Sequence, residues 1–139
     1  MECPTDGCEH LVTTGFPRRN AADVHAWPGL GGVGSWAAEA LARTAIGHLV
    51  LVDFDHIAPS NTNRQLHALE GAYGKAKVEA MTQRILQINP EIKLTSCDDF
   101  LEPENLDRLI PENALVLDAT DSVQTKIALS VWAVKNQRA

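Results

Sequence analysis

The pattern of apolar and polar positions changes character at Val24. Residues 1–23 carry neither a helical nor an alternating apolar period and read as an irregular lead-in. Beyond them, short apolar runs alternate with amphipathic stretches. Residues 24–30 stand where a first strand is expected, although Pro28 removes a ladder donor and His25 is polar. A helix is expected over 35–44, with Ser35 as its cap and Trp36, Ala37, Ala40 and Leu41 as its apolar stripe. Residues 48–53 form a continuous apolar run ending in an acid, the look of a buried parallel strand.

A long loop over 54–72 follows, of a length that often carries function. The spacing of Val78, Met81, Ile85 and Ile88 predicts a helix over 75–89, stopped by Pro90. Residues 92–97 alternate as a strand, 102–110 form a short helix, 114–118 a further buried strand and 122–135 a last helix. Strand and helix alternate from 24 to 139. The expected fold is therefore α/β and Rossmann-like, a mostly parallel sheet with helices on both faces.

Composition narrows the function classes. The chain has 139 residues, of which 45% are apolar and 22% charged, the make-up of one folded domain rather than a disordered segment. No apolar run approaches the ~20 residues of a membrane span, and the N-terminus lacks a basic-then-apolar leader, so a cytoplasmic setting is expected. A net charge of −6 argues against a stand-alone nucleic-acid binder but leaves room for a polyanion held by a local patch. Cys3, Cys8 and Cys97 are too few for a disulfide framework. Cys3, Cys8 and His10 lack a fourth metal ligand at zinc-finger spacing.

The chemistry gathers around glycines. Gly29-Leu30-Gly31-Gly32-Val33-Gly34 fits G-x-G-x-x-G between an expected strand and an expected helix, where the backbone can approach a phosphate resting on the helix N-terminus. Asp53 follows nineteen positions after Gly34, where an acid can hold ribose hydroxyls. The bland alternative is a set of glycines that only permit a tight turn. Nicotinamide chemistry fits the next segment poorly, because Arg64 and Lys77 beside a phosphate loop would neutralise a triphosphate. Asp118 and Asp121 stand at the carboxyl end of a strand, the edge that faces the ligand crevice, where a carboxylate can hold magnesium.

In this order the glycine loop, Asp53, Ser60-Asn61-x-x-Arg64-Gln65, Lys77 and Thr120-Asp121 resemble the ThiF-type adenylating superfamily of ubiquitin-activating enzymes and sulfur-carrier adenylyltransferases. The segments 34–44, 61–67 and 88–90 are most similar to the tRNA threonylcarbamoyladenosine dehydratases. That resemblance implies ATP-dependent ring closure on a modified adenosine of tRNA through an acyl-adenylate. Adenylation of a sulfur-carrier C-terminus, or a nucleotide-binding remnant without turnover, stand as alternatives. It also implies ATP and Mg2+, a homodimer and a sulfur-relay partner. By the same resemblance Gly29, Gly31, Gly32 and Gly34 cradle phosphates and Asp53 holds the ribose. Asn61, Arg64 and Lys77 contact the phosphate chain, and Asp121 holds magnesium, with Arg64 and Asp121 the catalytic pair.

Taken singly, Asp53 could instead cap a turn, Arg64 and Lys77 could be solvated charges, and Asp121 could cap the last helix. His67 reads as a loop histidine or a substrate contact, and the three tryptophans as core, interface or base-stacking platforms. The family's first strand is uniformly aliphatic, its N-terminal helix is not matched by residues 1–23, and its later strands lie beyond Ala139. A broken first strand, a family domain lacking its C-terminal part and an exposed sheet edge prone to association are the resulting expectations.

Overall fold

A computed structural model of the chain describes residues 24–44 and 46–137; the candidate ligands Cys3, Cys8 and His10 and the expected lead-in lie outside the described residues. Four parallel strands form one sheet: β1 (Val24–Pro28), β2 (His48–Val52), β3 (Lys93–Cys97) and β4 (Ala114–Val116), in spatial order β3-β2-β1-β4. Four helices connect or follow them: α1 (Gly34–Ala42), α2 (Lys77–Ile88), α3 (Leu106–Leu109) and α4 (Val123–Lys135).

The period of two in β2 explains the layering. Leu49 and Leu51 point to one face and pack with Ala38 and Ala42 of α1 and Val78, Met81 and Ile85 of α2. Val50 and Val52 point to the other face, among Leu106, Leu109, Leu129 and Trp132 of α3 and α4. Every residue of β2 is buried, as a strand covered on both faces requires. The doubly covered parallel sheet expected from the sequence is the sheet observed.

Four expectations are corrected. The first strand is not broken: β1 is almost wholly buried and pairs with β2 over its full length and with β4 over Val24–Ala26. Pro28 is tolerated because it is the last residue of the strand, where the Gly29 N–H donates to Val52 O at 2.9 Å and Pro28 O accepts from Ala119 N at 3.0 Å. Ser35 does not cap α1; Val33 is the N-cap and no side chain bonds the helix start. The expected apolar stripe of α1 holds in part, since Ala37 and Leu41 pack against the core. Gly34, Ser35, Ala38 and Ala42 face inward, whereas Trp36 and Ala40 are exposed. Finally β4 is not buried throughout: Leu115 is exposed, while the strand's place at the sheet edge among the described residues is as expected.

Candidate functional site

Rossmann-type sheets place ligands at the carboxyl ends of their strands, and there this chain has a cavity of about 700 Å³. Its walls come from the glycine loop after β1, the turn after β2, the start of α2, the turn after β3 and the turn after β4. Gly29, Gly31, Gly32, Asp53, Asn61, Arg64, Lys77 and Asp121 all line it. Gly34 alone among the expected site residues does not.

The glycines divide by what surrounds them. A Cβ on Gly34 would stand 1.8 Å from the Gly29 carbonyl oxygen, so this residue lets α1 pack onto the loop. Gly29 has φ +90° and would meet the Ala119 backbone at 2.7 Å. By contrast a Cβ on Gly31 would meet no atom within 4 Å, and one on Gly32 only the flexible stem of Arg64. The protein itself does not require glycine at either position. Main chain bare on its cavity side, with no side chain capping α1, leaves first-turn amides and the positive end of the helix dipole for an anion.

Asp53 ties this loop in place. Its Oδ2 accepts from Leu30 N at 2.6 Å and its Oδ1 from Asp55 N at 2.8 Å, joining the tips of β1 and β2. Burial pushes its carboxyl above the usual range, an effect those two amides and Lys77 oppose. Asp53 is thus a turn-capping group as well as a wall of the cavity.

The segment between β2 and α2 is an ordered loop. A bridge between His56 and Ala76 closes its ends, with Ile57 N on Lys75 O at 2.9 Å and Gly74 N on Ile57 O at 2.8 Å. A 3₁₀ turn over Pro59–Asn61 is held by Asn61 Oδ1, which accepts from Ala58 N at 2.9 Å. Arg64 donates through Nη1 to Ser60 O and Asn63 Oδ1, both at 3.0 Å, and its aliphatic stem lies across Gly32. Lys77 is buried and its Nζ donates to Asp55 Oδ2 at 2.8 Å, so one cation is held inside the wall while the other lies at the surface.

After β4 the two acids separate. Asp118 accepts from Thr120 N, Thr120 Oγ1 and Lys126 Nζ at 2.7 to 2.9 Å. Burial raises its carboxyl, but those bonds outweigh burial and hold it below its ordinary range. Asp118 is consumed in shaping the turn; Asp121 remains exposed and faces the cavity. The cap of α4 is Ser122, whose Oγ accepts from Thr125 N, and not Asp121.

Several wall residues carry no role in the sequence reading. Phe54 and Phe100 stack at a centroid distance of 3.4 Å from the turns after β2 and β3. Gln65 is buried with Oε1 unpartnered, and Asp55 holds Lys77. The Asp53-x-Asp55 pattern could have signalled the last of these. His67 is buried, with both ring nitrogens unpartnered, and burial followed by the nearby Lys77 charge lowers its pKa to about 4.

Residues 27–139 match the ThiF family. The chain is 50% identical over 118 residues to the tRNA threonylcarbamoyladenosine dehydratase of Escherichia coli K12, covering 84% of this chain and 44% of that protein. It is 39% identical over 102 residues to the molybdopterin-synthase adenylyltransferase of the same organism, covering 73% and 41%. Among solved structures, E. coli tRNA N6-threonylcarbamoyladenosine dehydratase, TcdA, in complex with ATP superposes with a TM-score of 0.79 at 47% identity, over 85% of this chain and 49% of that one. The chain spans less than half the length of the curated relatives it matches.

Proposed function

The chain belongs to the ThiF family, and from that premise we propose that its cavity serves ATP-dependent cyclisation of threonylcarbamoyladenosine in tRNA. The observation that carries the nucleotide part is Gly31 and Gly32 opening onto the cavity with Arg64, Lys77 and Asp121 in the same walls. In this reading the loop amides and the α1 N-terminus receive the phosphates, and Asn61, Arg64 and Lys77 offset their charge. Asp53 borders the ribose. The threonyl carboxylate oxygen attacks the α-phosphorus, the bond to the β-phosphate breaks and pyrophosphate leaves. A carbamoyl atom then attacks the acyl carbon, AMP departs and a proton is lost, so the net change is removal of water. The protein's part is positioning and charge neutralisation, which require no nucleophilic side chain.

Among the described residues no group of three His, Cys, Asp or Glu could hold a metal by itself. A magnesium ion here would take Asp121 together with the nucleotide's own oxygens, the donor set this ion favours beside phosphates. When bound it would supply further charge neutralisation. A homodimer and a sulfur-relay partner belong to the same reading and rest on the family resemblance. No helix among the described residues is long and apolar enough to cross a membrane.

ATP–pyrophosphate exchange with tRNA carrying threonylcarbamoyladenosine tests the proposal. Exchange by the wild type, cut at least about a hundredfold in Arg64→Ala and Asp121→Ala, is the expected outcome. Equal exchange in all three would remove both residues from the site. The relation to the molybdopterin-synthase adenylyltransferase supports a second reading. Exchange stimulated by a protein with a Gly-Gly tail and not by tRNA would favour it.

A further inference from the structure

Two tryptophans of this chain, Trp27 and Trp132, are buried; Trp36 is 57% exposed, on the first turn of α1. Its indole N–H, the only donor it has, is spent inside the molecule on the Arg64 carbonyl at 3.0 Å. The ring is therefore tied through its N–H to the residue whose side chain also covers Gly32, and more than half of Trp36 stays open to solvent. Val33, the preceding exposed apolar residue, lines the cavity itself. Trp36 thus stands just outside the end of the cavity bounded by Gly31, Gly32 and Arg64.

This placement matters for a substrate that is one nucleoside within an RNA strand. For its carboxylate to reach an α-phosphate on the glycine loop, the neighbouring nucleotides must cross the rim beside that loop. A chain with net charge −6 is poorly equipped to hold them by phosphate contacts over a broad surface. Stacking of unpaired bases on an aromatic face needs no such charge. We propose that Trp36 is the stacking platform for an unpaired base adjoining the modified nucleoside of the substrate RNA. The inference rests on the tRNA reading given above.

The test uses an anticodon stem-loop RNA bearing threonylcarbamoyladenosine, titrated into the nucleotide-saturated chain while acrylamide quenching of tryptophan emission is followed. With Trp27 and Trp132 buried, quenching reports mainly on Trp36. The RNA is expected to shield the ring. Trp36→Ala should weaken RNA binding about tenfold with ATP affinity unchanged. Trp36→Phe, which keeps a ring but not the N–H, should recover most of that loss. Stem-loop binding by Trp36→Ala equal to wild type overturns the platform and leaves the tRNA reading intact. An equal loss of ATP affinity in Trp36→Ala overturns it too, since the ring then serves the loop. Shielding that grows with protein concentration without RNA puts a second copy of the chain on the ring instead. A wild-type chain that binds ATP and ignores the stem-loop overturns the RNA reading itself, and the platform with it.

Discussion

At Gly34 a single methyl group has no room, because the space where it would go is filled by the Gly29 carbonyl. Gly34→Ala must displace either the loop or α1, a strain of about 1–3 kcal/mol or more. It should lower the melting temperature by several degrees in differential scanning calorimetry. Gly31→Ala meets no neighbour within 4 Å. That variant should melt with wild type while losing at least about tenfold in ATP affinity by isothermal titration, since its methyl group would occupy the space of a bound phosphate. A matched loss of stability in both would mean that the loop is packed as tightly at Gly31 as at Gly34, and that no ligand is needed to explain the glycine.

The loop between β2 and α2 sets the molecule's response to acid. His67 has a folded-state pKa near 4 against an ordinary value of about 6.5, so the unfolded chain takes up this proton first as pH falls. Its contribution to stability is present above about pH 6.5 and is lost progressively toward pH 4. Asp53, raised by burial, has the opposite sign, because acid relieves its cost. Urea midpoints at pH 7 and pH 4.5 should differ markedly in wild type and much less in His67→Leu. An unchanged difference would place the acid sensitivity elsewhere, with Glu39 and Asp118 the next candidates, since both carboxyls lie below their ordinary range.

At this scale the sequence was readable where hydrophobicity alone decides, as in β2, whose continuous apolar run is buried on both faces. It misled where size decides. The inward face of α1 carries Gly34, Ser35, Ala38 and Ala42 because the helix lies close to the sheet, and the bulky Trp36 that looked like core is excluded. Between Asp118 and Asp121 no spacing rule could choose; the bonds from Thr120 and Lys126 did. The Phe54–Phe100 stack joins two separate turns, a pairing that local sequence does not announce.

Among the described residues, a run of exposed apolar side chains lies on the outer side of α4. Val123, Ile127, Val131 and Val134 recur at three- and four-residue spacing, all more than half exposed, and β4 next to this layer presents an open edge with Leu115 also exposed. The chain is expected to self-associate through this side. Light scattering should show mass rising with concentration, and the double substitution Ile127→Glu, Val131→Lys should return it toward the monomer without altering ATP affinity. A wild-type chain that stays monomeric at every concentration would contradict this.

The cavity draws on five segments scattered between residues 29 and 125, brought together only at the finished end of the sheet. No fragment of it exists in a chain whose strands have yet to pair. A bound nucleotide would therefore stabilise only the completed fold, and its occupancy would select against every partly assembled form at once.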